Sequence, residues 1–555
     1  MEDVGSAPRC STQTACISFG VWAGAIRSTP GVIQIPFGTP SRAGVGGINI
    51  YNDGFTKRIE QDTVTCYARR IGIYVEAKYL RPAAEHPEEV GLFYLANGLA
   101  LLVTPAHSSL YKPILDRMIF PCAALPETLS HPSQRKCYLH SALVSFRDRD
   151  YQRVGRLRSL RRRHTNLANV TRLLKRWGVG DRLDKAGIRP RAFVFHRYSN
   201  GEQVGWSPLG DQMVADHGEA YHHVHRADVH RILYDMAAPY MTVRLNARVA
   251  SIDPAVPSLT LHTGEVVHAD LVIAADGVKS MLREVVVGGP DKAIPTGDAA
   301  YRAIIPTAEM AKDPELKWFV DNPQMNSWMG PGRHIMMYKI RPTDWNVVMA
   351  HPDDGALESW TAEGDLGKMR EEFKDFEPRV QKMLNLIPRI MDWRLMDREP
   401  LPKWVHEDGK VALLGDSCHP MLPYRAQGAA MAIEDAAVLG VFFAHITDRS
   451  QIGPLLHAYE KIRYPRTSKT QLSARSNQRT FHYEDGPEQV ARDNSMRQAM
   501  LQLQGKTNGN SADNVGNANQ WADKRLNQEQ FNYDAELEAE KWWQENGGAV
   551  LASAA

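Results

Sequence analysis

Cysteine is scarce in this chain: six in 555 residues, with Cys10, Cys16, Cys66, Cys122 and Cys137 in the first quarter and Cys418 far downstream. No two form a CxxC pair or a zinc-type spacing, which argues against a structural metal and predicts reduced thiols in a cytoplasmic setting. Long apolar runs are equally rare. The strongest, residues 90–103 (VGLFYLANGLALLV), is interrupted by Asn97 and two glycines and is too short to cross a bilayer, so it reads as a buried helix with no stable membrane insertion. The first residues lack a charged segment followed by an apolar one, so no secretory leader is expected. A net charge of +2 leaves no global attraction for nucleic acid, and the basic run at 147–164 (RDRDYQRVGRLRSLRRRH) reads as a solvated segment. With 43% apolar and 23% charged residues the chain is globular rather than disordered, and its length allows two or three domains.

A well-formed phosphate-binding turn is also missing. A dinucleotide site needs a strand, a GxGxxG turn and a helix, because the pyrophosphate requires close backbone approach and a helix N-terminus. The nearest candidate, Ala43-Gly44-Val45-Gly46-Gly47-Ile48, has Arg42 where the first glycine belongs, a poor strand before it and a turn after it. Gly44 and Gly46 are its candidate pyrophosphate contacts. Glu76, after Ile73-Tyr74-Val75, has the local look of a ribose-binding acid at a strand end, although it lies about ten residues too far downstream. Residues 1–165 therefore read as an atypical N-terminal region with a degenerate dinucleotide-binding start.

What is present is concentrated further on. Residues 410–440 (KVALLGDSCHPMLPYRAQGAAMAIEDAAVLG) run from a short apolar strand into Gly415-Asp416, through a proline-containing loop, and out through Gln427-Gly428 into an alanine-rich helix. Asp416 can accept hydrogen bonds from sugar hydroxyls, and the first-turn amides of Gly428 and Ala429 point unpaired at any anion before them. A second apolar run, 270–275, ends in Asp276-Gly277, as a buried parallel strand does when it delivers an acid to the carboxyl edge of a sheet. His225-Arg226-Ala227-Asp228 opens a helical pattern, and Tyr459-Glu460-Lys461-Ile462-Arg463-Tyr464-Pro465-Arg466 closes another.

Together these motifs resemble the GD, DG and arginine motifs of FAD-dependent aromatic monooxygenases, similar to salicylate hydroxylases and to fungal monooxygenases of secondary metabolism. The resemblance covers about residues 166–545 and implies an α/β fold: a Rossmann-like parallel FAD-binding sheet with an inserted antiparallel substrate sheet. It implies that Arg226, Asp276, Gly277, Asp416, Gly428 and Ala429 touch FAD, that NAD(P)H is the co-substrate, and that one oxygen of O2 is transferred to an electron-rich ring. Arg302, in Tyr301-Arg302-Ala303, matches a family position facing substrate, where a guanidinium can pair a carboxylate or phenolate. Tyr338, in the strand-like segment 334–338 (HIMMY), matches the lining of the same pocket.

The expected layout is FAD-binding parts at 166–296 and 396–475, a substrate sheet at 297–395, and a linker with a C-terminal arm at 476–555. That arm can pack on its own domain or on a second subunit, making a homodimer. The expected partners are a small aromatic substrate and O2. Two alternatives stay open at this point. An altered N-terminal third without FAD binding would leave a remnant or interaction protein, marked by the lack of yellow colour. Epoxidation of an isoprenoid would keep the flavin, and detergent-free solubility would count against it.

Overall fold

In the computed structural model the described residues are the strands Lys57–Arg58, Val64–Arg69, Gly72–Ala77, Gly91–Leu95 and Gly98–Leu102, and residues 164–166, 168–238, 241–244, 247–353, 355, 363–507 and 514–552. Two compact units divide the chain, Met1–Pro87 and Glu88–Ala555. The first contains a three-stranded antiparallel meander of Lys57–Arg58, Val64–Arg69 and Gly72–Ala77, in which Glu76 lies opposite Thr65.

The second unit has two large sheets, beside a three-stranded sheet (Val249–Asp253, Ser258–Leu261, Val266–His268) and a two-stranded one (His164–Asn166, His222–Val224). A five-stranded sheet has the order Thr242–Arg244, Gly91–Leu95, Gly98–Leu102, Val272–Ala275, Val411–Leu413. The expected buried helix at 90–103 is instead two antiparallel strands of this sheet, with Leu92 opposite Leu101 and Leu95 opposite Gly98. Two apolar runs of five residues, separated by only two residues, are each too brief for a stable helix and long enough for a hairpin strand. Val272–Ala275 and Val411–Leu413 are fully buried and pair in parallel, Ala274 beside Leu413. Burial on both faces explains their unbroken apolar sequences. The parallel pairing also delivers Asp276 and Asp416 to the same edge.

The second sheet has seven mainly antiparallel strands, in the order Met391–Asp397, Ile294–Pro306, Asp344–Pro352, Arg333–Arg341, Met325–Gly330, Ala192–Arg197, Gln203–Pro208. It reaches beyond the segment expected to hold it, taking two strands from 192–208. Side chains alternate across its faces with a period of two. Tyr301, Ala303, Ile335, Met337, Val347 and Met349 pack under short helices such as Pro314–Asp321 and Pro378–Asn385, in a core of their own. Ala300, Arg302, His334, Met336, Tyr338, Val348 and Ala350 face the opposite way, into a cavity.

Between the sheets and the C-terminal arm runs the central helix Gly428–Ala444, buried on nearly every side. The terminal helix Ala535–Ala552 packs on it through Phe442 and Trp542, whose ring centroids are 5.1 Å apart, and through His445 stacked on Trp543. The arm thus covers its own domain.

A central helix this apolar carries two buried acids side by side, Glu434 and Asp435, and the long helix Ile452–Phe481 supplies their partners. Arg463 Nε donates to Asp435 at 2.8 Å and its Nη1 stands 2.7 Å from Glu434. Arg466 grips Glu434 through two bonds of 2.7 and 2.8 Å, and Asn169 Nδ2 adds a third of 2.7 Å. His419 Nε2 lies 2.6 Å from Asp435, which also accepts the Gly415 amide at 3.1 Å. Burial alone would raise the Asp435 carboxyl, and His419 and Arg463 hold it below the usual carboxylate range.

Removing one partner of such a cluster strands a buried charge. Arg463→Met is therefore expected to cost about 3–5 kcal/mol, measured as a lowered urea-unfolding midpoint. An unchanged midpoint would mean that Arg466 and His419 carry the acids unaided.

Candidate active site

The cavity encloses about 310 Å³ between the alternating face of the seven-stranded sheet and the loop that follows Val411–Leu413. That size is at the small end for a ligand pocket. On the loop side, Gly415 has φ +64° and sits so close to the central helix that a Cβ would lie 3.0 Å from the Cβ of Ala432. Both the left-handed backbone and the close approach call for glycine. The next residue, Asp416, lines the cavity, and among the described residues no hydrogen-bond donor engages its carboxylate.

Arg283 fixes the loop to the neighbouring strand end. Buried and 1% exposed, it donates to the carbonyls of Ser417 (2.7 Å), Asp416 (2.8 Å) and Val278 (3.1 Å). Asp276 and Gly277 join the same assembly. Ser417 Oγ donates to Asp276 at 2.9 Å and accepts the Gly277 amide at 2.8 Å, while the other Asp276 oxygen caps the following helix through the Met281 and Leu282 amides. Asp276 is thereby turned to protein donors, and the cavity is lined by Val278 and Lys279, the two residues after Gly277. The sequence expectation of direct contact by Asp276 and Gly277 becomes, in this geometry, a positioning arrangement behind the wall.

The loop ends in a short turn, Pro423–Arg425, followed by Ala426 at φ +56°, the one non-glycine with positive φ among the described residues. This conformation is sterically costly for alanine, and it redirects the chain so that the central helix begins at the cavity. Gln427, at the N-cap, provides no side-chain cap, and no acid occupies the first turn. Gly428 and Ala429 both line the cavity, so the positive end of a 17-residue helix meets it, with the Asp416 carboxylate close by: a Cβ on Gly428 would lie 3.8 Å from Asp416 Oδ1. Gln427 is buried, lines the cavity and keeps an unpartnered Oε1.

Arg226 lines the cavity at the first position of the helix Arg226–Ala237, which His225 caps by accepting the Ala227 amide at 3.2 Å. Asp228 anchors that helix start to the substrate sheet through a bidentate pair with Arg341, 2.7 and 2.9 Å. Across the cavity, Arg302 lies over the Trp393 ring at 4.5 Å, and its Nε has no partner. Burial lowers this guanidinium to about 10, against the opposing pull of Tyr338, so it stays charged at neutral pH. Other cations on the wall are already paired, Arg394 with Asp353 at 2.5 Å and Arg398 with Asp291. Tyr338 lines the same face, its ring 4.6 Å from that of His223.

Arg226, Arg302, Tyr338, Asp416, Gly428 and Ala429 thus line one cavity. Gly44 and Gly46 lie outside the described residues, and Glu76 belongs to the meander of the first unit. Among the lining residues that the sequence does not single out are Trp393 under Arg302, Gln427, Tyr424, and Trp521 from the C-terminal arm. Trp521 packs on Phe193 at 4.8 Å and under the Arg425 guanidinium at 4.9 Å. The period-two spacing of 300/302, 334/336/338 and 348/350 is the signal that finds the sheet wall.

An acidic loop at a parallel-strand end, facing an uncapped helix end, suits a cofactor carrying both hydroxyls and an electron-accepting ring, which defines a flavin-binding class of enzyme. Residues 153–473 match the FAD binding domain family, and the chain belongs to that family; it is a FAD-dependent monooxygenase. Over 339 residues it is 39% identical to the FAD-dependent monooxygenase OpS4 of Beauveria bassiana, covering 59% of this chain and 78% of the relative. It is 34% identical over 317 residues to 6-hydroxynicotinate 3-monooxygenase of Bordetella bronchiseptica, covering 56% and 79%. Its fold is similar to a salicylate hydroxylase substrate complex, with TM-score 0.55 and 22% identity over 68% of this chain and 89% of that one.

The open carboxylate of Asp416, the free helix end and the orphaned Gln427 Oε1 fit the hydroxylated chain and ring of FAD. Asp416→Ala is expected to weaken FAD binding roughly 10- to 100-fold, the worth of about 1.5–3 kcal/mol for hydrogen bonds to a charged group. Titration of flavin fluorescence reads this directly, and unaltered affinity would remove Asp416 from the cofactor site.

Proposed function

We propose that this monooxygenase hydroxylates a small aromatic substrate bearing a phenolic hydroxyl or a carboxylate, with NAD(P)H as electron donor. The observation that carries the reading is Arg302: a charged guanidinium on the cavity wall, stacked on Trp393, with an unpartnered Nε. Arginine in that state is a ready anion partner with geometric preference for a planar oxyanion. Trp393, Met336 and Val348 around it supply apolar surface for a ring.

When bound, FAD takes electrons from NAD(P)H and supplies one atom of O2 to the ring. The residues of this chain do the rest. The helix end at Gly428 and Ala429 stabilises negative charge beside it, Asp416 holds hydroxyls, and Arg302 orients the substrate and favours its ionised form, which makes the ring more nucleophilic. The relatives named above act on hydroxynicotinate and salicylate, rings that carry both kinds of group. Their fungal member favours a place in secondary metabolism, with aromatic degradation as the other setting.

A panel of hydroxybenzoates and hydroxynicotinates, offered to the FAD-loaded protein with NADH or NADPH, tests this through oxygen uptake and hydroxylated product. Arg302→Ala is expected to raise KM for carboxylated phenols about 10- to 100-fold, from loss of a charged hydrogen bond. Flavin reduction by the nicotinamide alone should be unchanged. Full hydroxylation at the original KM in the variant would sink the assignment of Arg302.

A further inference from the structure

Behind the cavity wall, two histidines link it to the outside. His334 lines the cavity from the strand Arg333–Arg341 and is buried, 4% exposed. Its Nδ1 lies 2.7 Å from Nε2 of His482, which ends the long helix. His482 in turn lines a separate surface cleft, together with Gln478 and the exposed acids Glu399, Glu484 and Glu488. Asp298 stands at the turn of this path. One of its oxygens accepts Tyr424 Oη at 2.6 Å and Gln478 Nε2 at 2.7 Å, and lies 3.4 Å from Nδ1 of His482.

These contacts dictate the tautomers. A carboxylate beside Nδ1 of His482 favours the proton there, which leaves Nε2 as an acceptor. His334 must then donate from Nδ1, so its own Nε2 keeps the lone pair. Burial lowers His482 to about 4 and, with His482 beside it, puts His334 well below the ordinary range. Both rings are therefore neutral at rest, as a chain that both accepts and donates requires.

We infer that His334 and His482 form a proton relay between the substrate cavity and the outer cleft. The inference rests on the aromatic-hydroxylase reading above. The substrate O–H bond breaks as its proton passes to Nε2 of His334. The Nδ1 proton of His334 passes to Nε2 of His482, and the Nδ1 proton of His482 leaves to water in the cleft. No electron pair leaves the substrate, and the oxyanion remains in the cavity with Arg302. After oxygen transfer the product oxyanion takes a proton back along the same atoms, which restores both tautomers. His334 is the catalytic residue here, and His482 acts through it.

The test uses the FAD-loaded protein and 4-nitrophenol, whose absorbance reports its own ionisation, in a stopped-flow pH jump. His482→Gln keeps a hydrogen-bonding side chain but cannot shuttle a proton as imidazole does. Ionisation of the bound probe is expected to slow about 100-fold in this variant, within the usual range for a lost acid–base group, with FAD content unchanged. In His482→Gly, imidazole added to the buffer should restore the rate in proportion to its concentration, because the cleft admits it to the vacated position. A merely structural His482 would show neither effect. Ionisation at the original rate in His482→Gln, or a slow His482→Gly indifferent to imidazole, would overturn the relay alone. Failure of nitrophenol to bind the yellow protein would overturn the aromatic reading and the relay together.

Discussion

The Glu434–Asp435 pair and its cations are the constraint on which the site depends. A helix as apolar as Gly428–Ala444 can sit in the middle of the unit, but its apolar side chains offer the loop before it no polar contact. Asp435 provides one by taking the Gly415 amide and His419 from that loop and Arg463 from the long helix. Buried ion clusters are poor sources of stability, since desolvation consumes most of their attraction. Their worth here is specificity of position. Every charge has a geometrically defined partner, so the loop carrying Asp416 has one place to lie.

The long helix extends this function along its length. Tyr459 Oη donates to the Leu413 carbonyl at 3.0 Å, Gln471 Nε2 to that of Pro420 at 2.9 Å, and Asn477 Nδ2 to that of Tyr424 at 3.0 Å. With Arg463 these residues share one side of the helix: Tyr459 takes the last carbonyl of the strand, and Gln471 and Asn477 take carbonyls of the loop between strand and central helix. A loop without regular structure must find partners for its backbone, and here a helix supplies them in sequence order. Beyond Asn477 the same helix reaches Asp298 through Gln478 and the cavity wall through His482. The Ile452–Phe481 helix is thus a splint for both the cofactor loop and the substrate sheet.

The sequence made the loop and the two acidic strand ends legible because short-range rules govern them: an apolar run, a glycine, an acid, a turn. Asp416 is legible in that way, while Arg226 and Arg302 come only from the resemblance to a family. What Asp276 faces is not legible, because it depends on Ser417, 141 residues away, and on the first amides of the next helix. Tyr459, Arg463 and Arg466 were visible as a signature, but nothing local said that Glu434 and Asp435 needed them. The hairpin at 91–102 is hard to tell from a helix by hydrophobicity alone, because its two strands are almost continuous in apolar sequence. Trp521 joins the wall from more than 200 residues beyond Arg302, a contact no spacing rule can reach.

The charges around the cavity have a common logic. Arg394 and Arg398 are neutralised by Asp353 and Asp291, which leaves their bulk as wall without adding field. Arg302 has no such acid, and the helix end at Gly428 has no cap. Keeping a guanidinium away from water without an anion is costly, and a helix terminus without a cap forgoes about 1 kcal/mol. A substrate anion held near Arg302 relieves the first cost, and hydrogen-bond acceptors at the first-turn amides relieve the second. An anion forming between them therefore meets donors already oriented and largely desolvated, so little reorganisation opposes it. The same imbalance explains why the proton must have a way out. A site arranged to favour an oxyanion gains nothing unless the proton that leaves it can reach solvent, and His334, with His482 behind it, lies on the cavity wall.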